Sequence, residues 1–426
     1  MPEKIIRDPV HDVISLRLED SCDQLILQLL ATEELQRLRR VRQLGMAHLA
    51  YPGADHSRYS HSLGVFETAR RMIEQLQRDT PIPDDGRVAC LCAALLHDLG
   101  HGPFSHVFER VSNIHHESIT QQLILDPASG VHRVLASCDR SLPRRVVGLL
   151  RCEPTRDYLC DLLSSQLDAD RLDYLLRDNL MTGSRYGDYD LRWLLTALTI
   201  DPATQRLAVT HKGVSAVEAY LQARHHMYRN VYFHKVVRAA EGMVKLALQR
   251  ARRLAVQGRL AWPPRDHVAF KTLMGMQLSS AEFIELDDVA ILQCFKTWSS
   301  GDDAVLARLC RGLLFRRLYK TIDLSRIEDA GVVARIVAES FAAIESAGGD
   351  PHYDFFYDEP SDTAYRVDTP DTLEAGKQIL VREIDGRLSD FATISPMTQA
   401  LAKQLMFRRL HVAEEHRDRV MRIARG

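Results

Sequence analysis

A histidine–aspartate pair, His97-Asp98, closes the apolar run Ala89–Leu96 and is followed by Leu-Gly-His101-Gly-Pro-Phe-Ser-His106. His61 stands upstream in Arg-Tyr-Ser-His-Ser-Leu-Gly, and Asp170 downstream in Leu-Asp-Ala-Asp-Arg-Leu-Asp-Tyr. This mixture of imidazole and carboxylate suits a transition ion working on phosphate. Imidazole favours iron, zinc, nickel and cobalt, while carboxylate and water favour manganese and magnesium. The dipeptide alone is weak, because His11-Asp12 repeats it in a segment patterned as a strand. The wider string is specific. A core helix has no packing reason to end in polar groups, and Gly100, Gly102 and Pro103 force a turn that returns His101 and His106 to the same helix end.

Three further groupings could do chemistry. On a helix spanning 156–181, Asp170, Asp173, Tyr174, Arg177 and Asp178 share one face, with Leu172, Leu175, Leu176 and Leu180 on much of the other side. A solvated charged face explains such a stripe equally well. On a long helix over 214–255, Arg224, Tyr228, Tyr232 and Lys235 form a stripe of cations and hydroxyls, with guanidinium forks suited to phosphate. An ordinary salt-bridged surface is the competing explanation, and His225, His226 and His234 on that helix fit packing or surface roles. His106 and Glu109 are three residues apart, so a carboxylate can orient the imidazole as a general acid or base. His116-Glu117 offers a second such pair.

The elements that must position these groups are mostly helical. Residues 4–18 read as extended, 22–45 as a basic helical region, and His61 to about Gln77 as a helix with Leu63, Phe66, Ile73 and Leu76 at helical spacing. Pro81, Pro83 and Gly86 mark the linker into the helix ending at His97. Helices are predicted near 104–112, 115–125, 130–137 and 143–151, then 156–181 up to Gly183. A hairpin fits 196–210 with Asp201-Pro202-Ala-Thr as its turn. Beyond residue 330 the pattern changes to a helix over 332–345, strands at 352–357 and 378–383, a helix near 395–407 and a final strand or helix. The organisation is a helical body, residues 1–330, and a small C-terminal α/β lobe, residues 331–426.

Composition bounds the function without deciding it. With 46% hydrophobic and 26% charged residues the chain is an ordinary globular protein. A net charge of -2 gives no bulk attraction to nucleic acid or anionic membrane, so phosphate binding must rest on local cations. The eight cysteines form no CxxC pair and read as reduced, several of them within apolar helices. Neither a signal peptide nor a membrane span of about 18 apolar residues is visible, and a cytoplasmic location is expected.

Taken in order, these strings resemble the HD-domain superfamily, and within it the deoxynucleoside triphosphate triphosphohydrolases. The resemblance rests on Ile6–His11, Gln36–Arg39, Arg42-Gln43-Leu44-Gly45, Tyr51–Ala54, Arg58–Gly64, His97–His106, His116-Glu117, Asp170–Tyr174 and Arg224–Lys235. It runs to about residue 325 and more weakly beyond. It implies a mainly α fold: an HD-type helical body with a short β-hairpin and the small lobe. It implies His61, His97, Asp98 and Asp170 as ligands of one divalent metal (Mn, Fe, Zn, Ni, Co or Mg). His101, His106 and His116 would surround the α-phosphate, with Glu109 and Glu117 orienting them. Arg58, Arg171 and Lys235 would neutralise the triphosphate. Gln43, Leu44, Tyr174 and Asp178 would hold the deoxyribose, and Arg224 and Tyr232 would close the pocket. Arg171 replaces a lysine of the vertebrate members, Phe233 a glutamine-like position, and Ala31 an acidic residue that reads an activating guanine there. A nucleotide activator therefore stays open, and a homo-oligomer, dimer or tetramer, is expected.

The implied reaction is dGTPase-like: dNTP and water give deoxynucleoside and triphosphate, by attack at the α-phosphorus with a histidine protonating the departing 5′ oxygen. One alternative is another HD-type hydrolase or phosphodiesterase acting on a monophosphate, cyclic dinucleotide or guanosine polyphosphate. Tyr174, Asp178 and the Arg224–Lys235 stripe discriminate, because a monophosphatase needs no long cationic cradle. The other is a nucleotide sensor or nucleic-acid binder with little turnover, against which the complete ligand set argues.

Overall fold

The computed structural model describes residues 2–104, 107–109, 115–153, 156–366 and 378–425. Helices make up 57% of it and the sheets are small, so the fold is mainly α. Three helices frame the centre. Arg58–Leu76 is capped by Ser57, whose side chain accepts from the Ser60 N–H. Asp84–Leu96 begins with two aspartates at its positive end and buries every residue from Ala89 to Leu96. Ala169–Thr182 is capped by Asp168 and stopped by Gly183, whose φ of 68° is the left-handed conformation glycine tolerates. Arg58–Leu76 packs against both of the others. Each fully buried leucine of Asp84–Leu96 stabilises the packing by about 1.5–3 kcal/mol, which fixes the end of the helix that presents His97 and Asp98.

Several predicted elements divide differently. The helix expected over 156–181 is two, Tyr158–Leu163 and Ala169–Thr182. Asp157 caps the first and Asp168 the second, and Asp168 also accepts from the Ser165 N–H. The helix expected over 214–255 stops at Met227, passes through a π turn at Tyr228–Tyr232, and restarts as Lys235–Val256. His234 supplies the second N-cap through its ring nitrogen, so Lys235 does not continue the Arg224 stripe. The helix expected near 395–407 is instead the short Thr398–Leu401 and the strand Leu405–Met406. Cys152 and Cys160 lie side by side, their Cα atoms 5.3 Å apart. The predicted helix 104–112 lies partly outside the described residues.

The hairpin at Leu198–Ile200 and Leu207–Thr210 forms as expected, with Asp201 accepting from Thr204 in the turn. Leu207–Thr210 also pairs in parallel with Leu380–Arg382. Lys320–Asp323 joins Arg409–Val412 and Phe355–Asp358 in a three-stranded sheet. Both sheets thus cross the expected 330/331 boundary. A small separate core gathers Ile322, from before that boundary, with Ile336, Ile344 and Leu410 from after it.

Candidate active site

His61 lies in the first turns of the Arg58–Leu76 helix, His97 and Asp98 end Asp84–Leu96, and Asp170 sits in the first turn of Ala169–Thr182. Helix packing brings the four together. His61 Nε2 is 3.0 Å from Asp170 Oδ1 and 3.8 Å from Asp98 Oδ2. His97 Nε2 is 3.3 Å from Asp98 Oδ1 and 3.8 Å from Asp170 Oδ1. The ring nitrogens away from this point are committed: His97 Nδ1 donates to the Ala94 carbonyl at 2.9 Å, and His61 Nδ1 to Asp173 at 2.8 Å. His97 Nε2 is buried without a hydrogen-bond partner among the described residues. Burial disfavours charge on the His61 ring, yet Asp170 and Asp173 override it and lift its pKa to about 10. Two imidazoles and two carboxylates facing one point, with their outer nitrogens anchored, fit a divalent cation.

Beside this group, Asp98, His101 and His116 converge as a second set of donors. Arg58 Nη1 donates to Asp98 Oδ2, so a guanidinium already faces that carboxylate. Burial would raise the Asp98 pKa, but His97, Arg58 and His101 hold it well below the usual carboxylate range. Burial and Arg58 press the His101 imidazole well below its ordinary value, against Asp98. Its ring stacks on His116 at 3.8 Å. Burial lowers the His116 pKa, and the hydrogen bond to Glu109 reverses that and raises it. Glu109 also accepts from the His116 N–H at 2.9 Å. The pairing expected for Glu109 was with His106, which lies outside the described residues. Glu117 sits exposed on the first turn of the His116–Leu125 helix.

A cavity of about 430 Å³ opens from these groups. Gln43, Leu44, Arg58, Asp98, His101, His116, Asp170, Tyr174, Asp178 and Tyr232 line it, and Val231, Phe233 and Val237 add apolar surface alongside Arg238 and Glu241. Asp178 accepts from the Tyr232 hydroxyl at 2.8 Å and pairs with His56 at 2.7 Å. The Tyr174 ring lies 6.5 Å from His61 and 6.2 Å from Tyr232, between the donor group and the far end. Arg224 is 2% exposed, with Nε and Nη1 lacking hydrogen-bond partners among the described residues. It is within electrostatic reach of Tyr174, Tyr228 and Arg171. Arg171 is tied to Asp168 and to the Ser165 carbonyl. Lys235 is elsewhere: it lines a separate basic cavity of about 1000 Å³ with Arg308, Arg311 and Arg417.

The sequence assigns no site role to Arg37 or His56, and it places Asp173 on the charged face of Asp170 without a role of its own. Arg37, fully buried, donates to the His101 carbonyl at 2.8 Å and to the Leu286 carbonyl, tying the turn after Asp98 to a distant loop. Burial lowers its pKa to about 9. Burial would raise Asp173, but Arg177, His11 and His61 hold it well below the usual range.

The HD domain matches residues 58–139, the segment carrying His61, His97 and Asp98, and the HD-associated region matches 189–258. The uncharacterized protein YwfO of Bacillus subtilis is 35% identical over 401 residues, covering 94% of this chain and 89% of that protein. The chain therefore belongs to the HD-domain family that carries the HD-associated region, a family that includes deoxynucleoside triphosphate triphosphohydrolases. Its fold matches the crystal structure of a phosphohydrolase from Bacteroides thetaiotaomicron with a TM-score of 0.82 at 30% identity, over 96% of this chain and all of that one. The deoxynucleoside triphosphate triphosphohydrolase SAMHD1 of Danio rerio is 26% identical over 401 residues, 80% of this chain and 62% of that protein. These findings support a metal-dependent hydrolase. No helix among the described residues is long and apolar enough to cross a membrane.

Proposed function

We propose that the chain is a metal-dependent deoxynucleoside triphosphate triphosphohydrolase that converts dNTP and water into deoxynucleoside and intact triphosphate. One observation carries this reading: a single cavity is lined by Asp98 and Asp170, the carboxylates that His61 and His97 adjoin, by the hydroxyls and carboxylate of Tyr174, Asp178 and Tyr232, and by apolar Val231, Phe233 and Val237. That combination matches phosphate, sugar and base.

His61, His97, Asp98 and Asp170 hold the metal, which when bound supplies Lewis acidity at the α-phosphate. Arg58 neutralises phosphate charge at its contact with Asp98, and Arg224 offers unsatisfied donors beside Tyr174. Glu109 engages His116 through Nδ1 and orients the ring, and His116 protonates the departing 5′ oxygen through Nε2. His101 stacks on that ring and faces Asp98 at 3.3 Å, holding His116 in place. The resemblance gives His106 a place beside the same phosphate. Asp178 and Gln43 bond the 3′-hydroxyl, and Tyr174 walls the 2′ position.

The second donor set, Asp98, His101 and His116, favours one other reading: a two-ion phosphomonoesterase or phosphodiesterase of the same family. The Arg58 contact with Asp98 counts against a second ion there. One experiment separates the two. Purified protein is incubated with manganese, each dNTP and each NTP in oxygen-18 water, and the products are separated by chromatography. Deoxynucleoside and oxygen-18-labelled triphosphate are expected. Nucleoside diphosphate and orthophosphate would reject the proposal.

A further inference from the structure

The N-terminal hairpin reaches the donor group through a continuous chain of buried polar contacts. Its strands, Glu3–Asp8 and Asp12–Arg17, pair down to Asp8 opposite Asp12. Asp8 Oδ1 pins the turn between them, accepting from the Val10 N–H at 2.9 Å and the His11 N–H at 3.0 Å. Arg71, on the helix that carries His61, donates to the His11 carbonyl at 3.3 Å. From this turn the His11 ring enters the interior and its Nε2 donates to Asp173 Oδ1 at 2.8 Å. The other Asp173 oxygen accepts from His61 Nδ1 at 2.8 Å. Arg177 grips both oxygens of Asp173, at 2.8 and 2.9 Å, and both of Asp8, at 2.8 and 3.2 Å. The side chains of His11, Asp173 and His61 are wholly buried.

Two details mark this chain as built for position. Apolar side chains of similar volume would fill the space without the cost of desolvating ions, so packing alone does not require it. Gly64, one turn beyond His61, is also required by it: a Cβ there would lie 1.9 Å from Asp173 Oδ1 and 2.2 Å from Arg177 Nη2. With Arg177 spanning both oxygens from one side, His11 takes the remaining approach to Oδ1 and leaves Oδ2 to His61.

We infer that His11 is a positioning residue for the metal donor His61: acting through Asp173, it fixes the His61 ring and holds the Nδ1 proton, so that Nε2, which faces Asp170 and Asp98, is the nitrogen presented to the metal. A carboxylate behind a metal-binding imidazole orients it in this way, and loss of such outer contacts typically weakens metal binding about 10–100-fold. The inference rests on the metal reading of the His61 group and makes the N-terminal hairpin part of the site.

The test is cobalt(II) titration of the full-length, chelator-stripped protein, followed by visible absorption, which reads ligand geometry without turnover. Wild type should bind cobalt. His11→Phe keeps the ring and removes the donor; its cobalt affinity should fall about 10–100-fold, with a shifted band and an unchanged KM for nucleotide. His11→Gln, which restores an N–H donor, should recover most of the loss. A folded His11→Phe protein with wild-type cobalt affinity would overturn the inference and leave the metal reading standing, whereas a wild type that binds no cobalt would overturn both. Should His11→Phe not fold, nitrogen-15 histidine labelling of the unaltered protein decides. With zinc bound, the His61 signals, identified by their loss in His61→Gln, should show the proton on Nδ1, and a ring with no proton on Nδ1 would overturn the inference.

Discussion

The two ends of the cavity are built on opposite plans. At the donor end the outer ring nitrogens are satisfied by protein: His61 Nδ1 by Asp173 and His97 Nδ1 by the Ala94 carbonyl. Beside Tyr174, Arg224 is 2% exposed, yet its Nε and Nη1 have no hydrogen-bond partner among the described residues. A buried, unmatched cation costs stability unless something anionic completes it. The protein therefore supplies the geometry at one end and leaves charge for a ligand to supply at the other. Substitutions should separate the two plans.

The largest effect belongs to the donor end. Asp98→Ala and His61→Ala should each lose bound metal and lower kcat/KM by about a thousandfold or more, the loss of several kcal/mol of charge stabilisation. Metal analysis and kinetics on the same preparations check this, with circular dichroism confirming helix content. Full activity in metal-stripped Asp98→Ala would break the assignment.

Arg224→Met comes next and distinguishes the ends most sharply. Losing charge-assisted bonds to an anionic substrate should lower kcat/KM about 10–100-fold, mostly through KM. Removing an unmatched buried cation should at the same time raise Tm. Asp173→Asn, at the satisfied end, should lower both activity and Tm. Parallel melting curves and kinetics test this, and a drop in Tm for Arg224→Met would erase the contrast.

The same contrast explains what the sequence made legible. The donors were visible because each sits where local chemistry ends a helix: Ser57 before His61, Gly100 and Gly102 after Asp98, Asp168 before Asp170. What depends on distant pairing was not. His11 and Asp173 are separated by 162 positions, and the strand-like pattern around His11 gave its ring no reason to face inward. Glu109 had His106 as its obvious neighbour at helical spacing, and nothing local pointed to His116, which contacts it from the next helix. The restart at His234 contains neither glycine nor proline, and a histidine cap is a weak signal, so Lys235 was placed on a stripe that the backbone interrupts. Asp168 could have been read as a cap after Ser164-Ser165, which would have split the 156–181 helix correctly.

Between the two ends, Asp288 joins the turn after His101 to the segment before Gln43, accepting from the Phe104 N–H at 3.0 Å and the Arg42 N–H at 3.1 Å. Burial lifts its pKa to about 6, although those two bonds oppose the shift. Below about pH 4 the carboxyl is protonated in folded and unfolded chains alike. Between there and about pH 6 only the folded chain keeps the proton, so the stabilisation is full at low pH and is lost as pH rises through 6. Relative to Asp288→Asn, wild-type stability should fall by about 2–3 kcal/mol between pH 4 and 7. Denaturant titrations of both proteins across that range measure the difference, and a flat difference would place the Asp288 carboxyl nearer water.

The smallest expected effect concerns Tyr174, which stands between the donor His61 and Tyr232 and so borders both plans. A buried aromatic wall can reject a 2′-hydroxyl by leaving it without water or a partner, at a cost of about 1–3 kcal/mol, or roughly ten- to hundredfold discrimination. Tyr174→Ala should open that space and narrow the dGTP/GTP ratio of kcat/KM by about tenfold, with metal binding unchanged because no donor contacts the hydroxyl. Asp178→Asn weakens a group already shared by Tyr232 and His56, and should raise KM for both sugars without changing their ratio. Paired kinetics on dGTP and GTP decide it. If Tyr174→Ala kept the wild-type ratio, selection against the 2′-hydroxyl would lie with the polar groups of the far end, and the division between the two ends would have to be drawn on the other side of Tyr174.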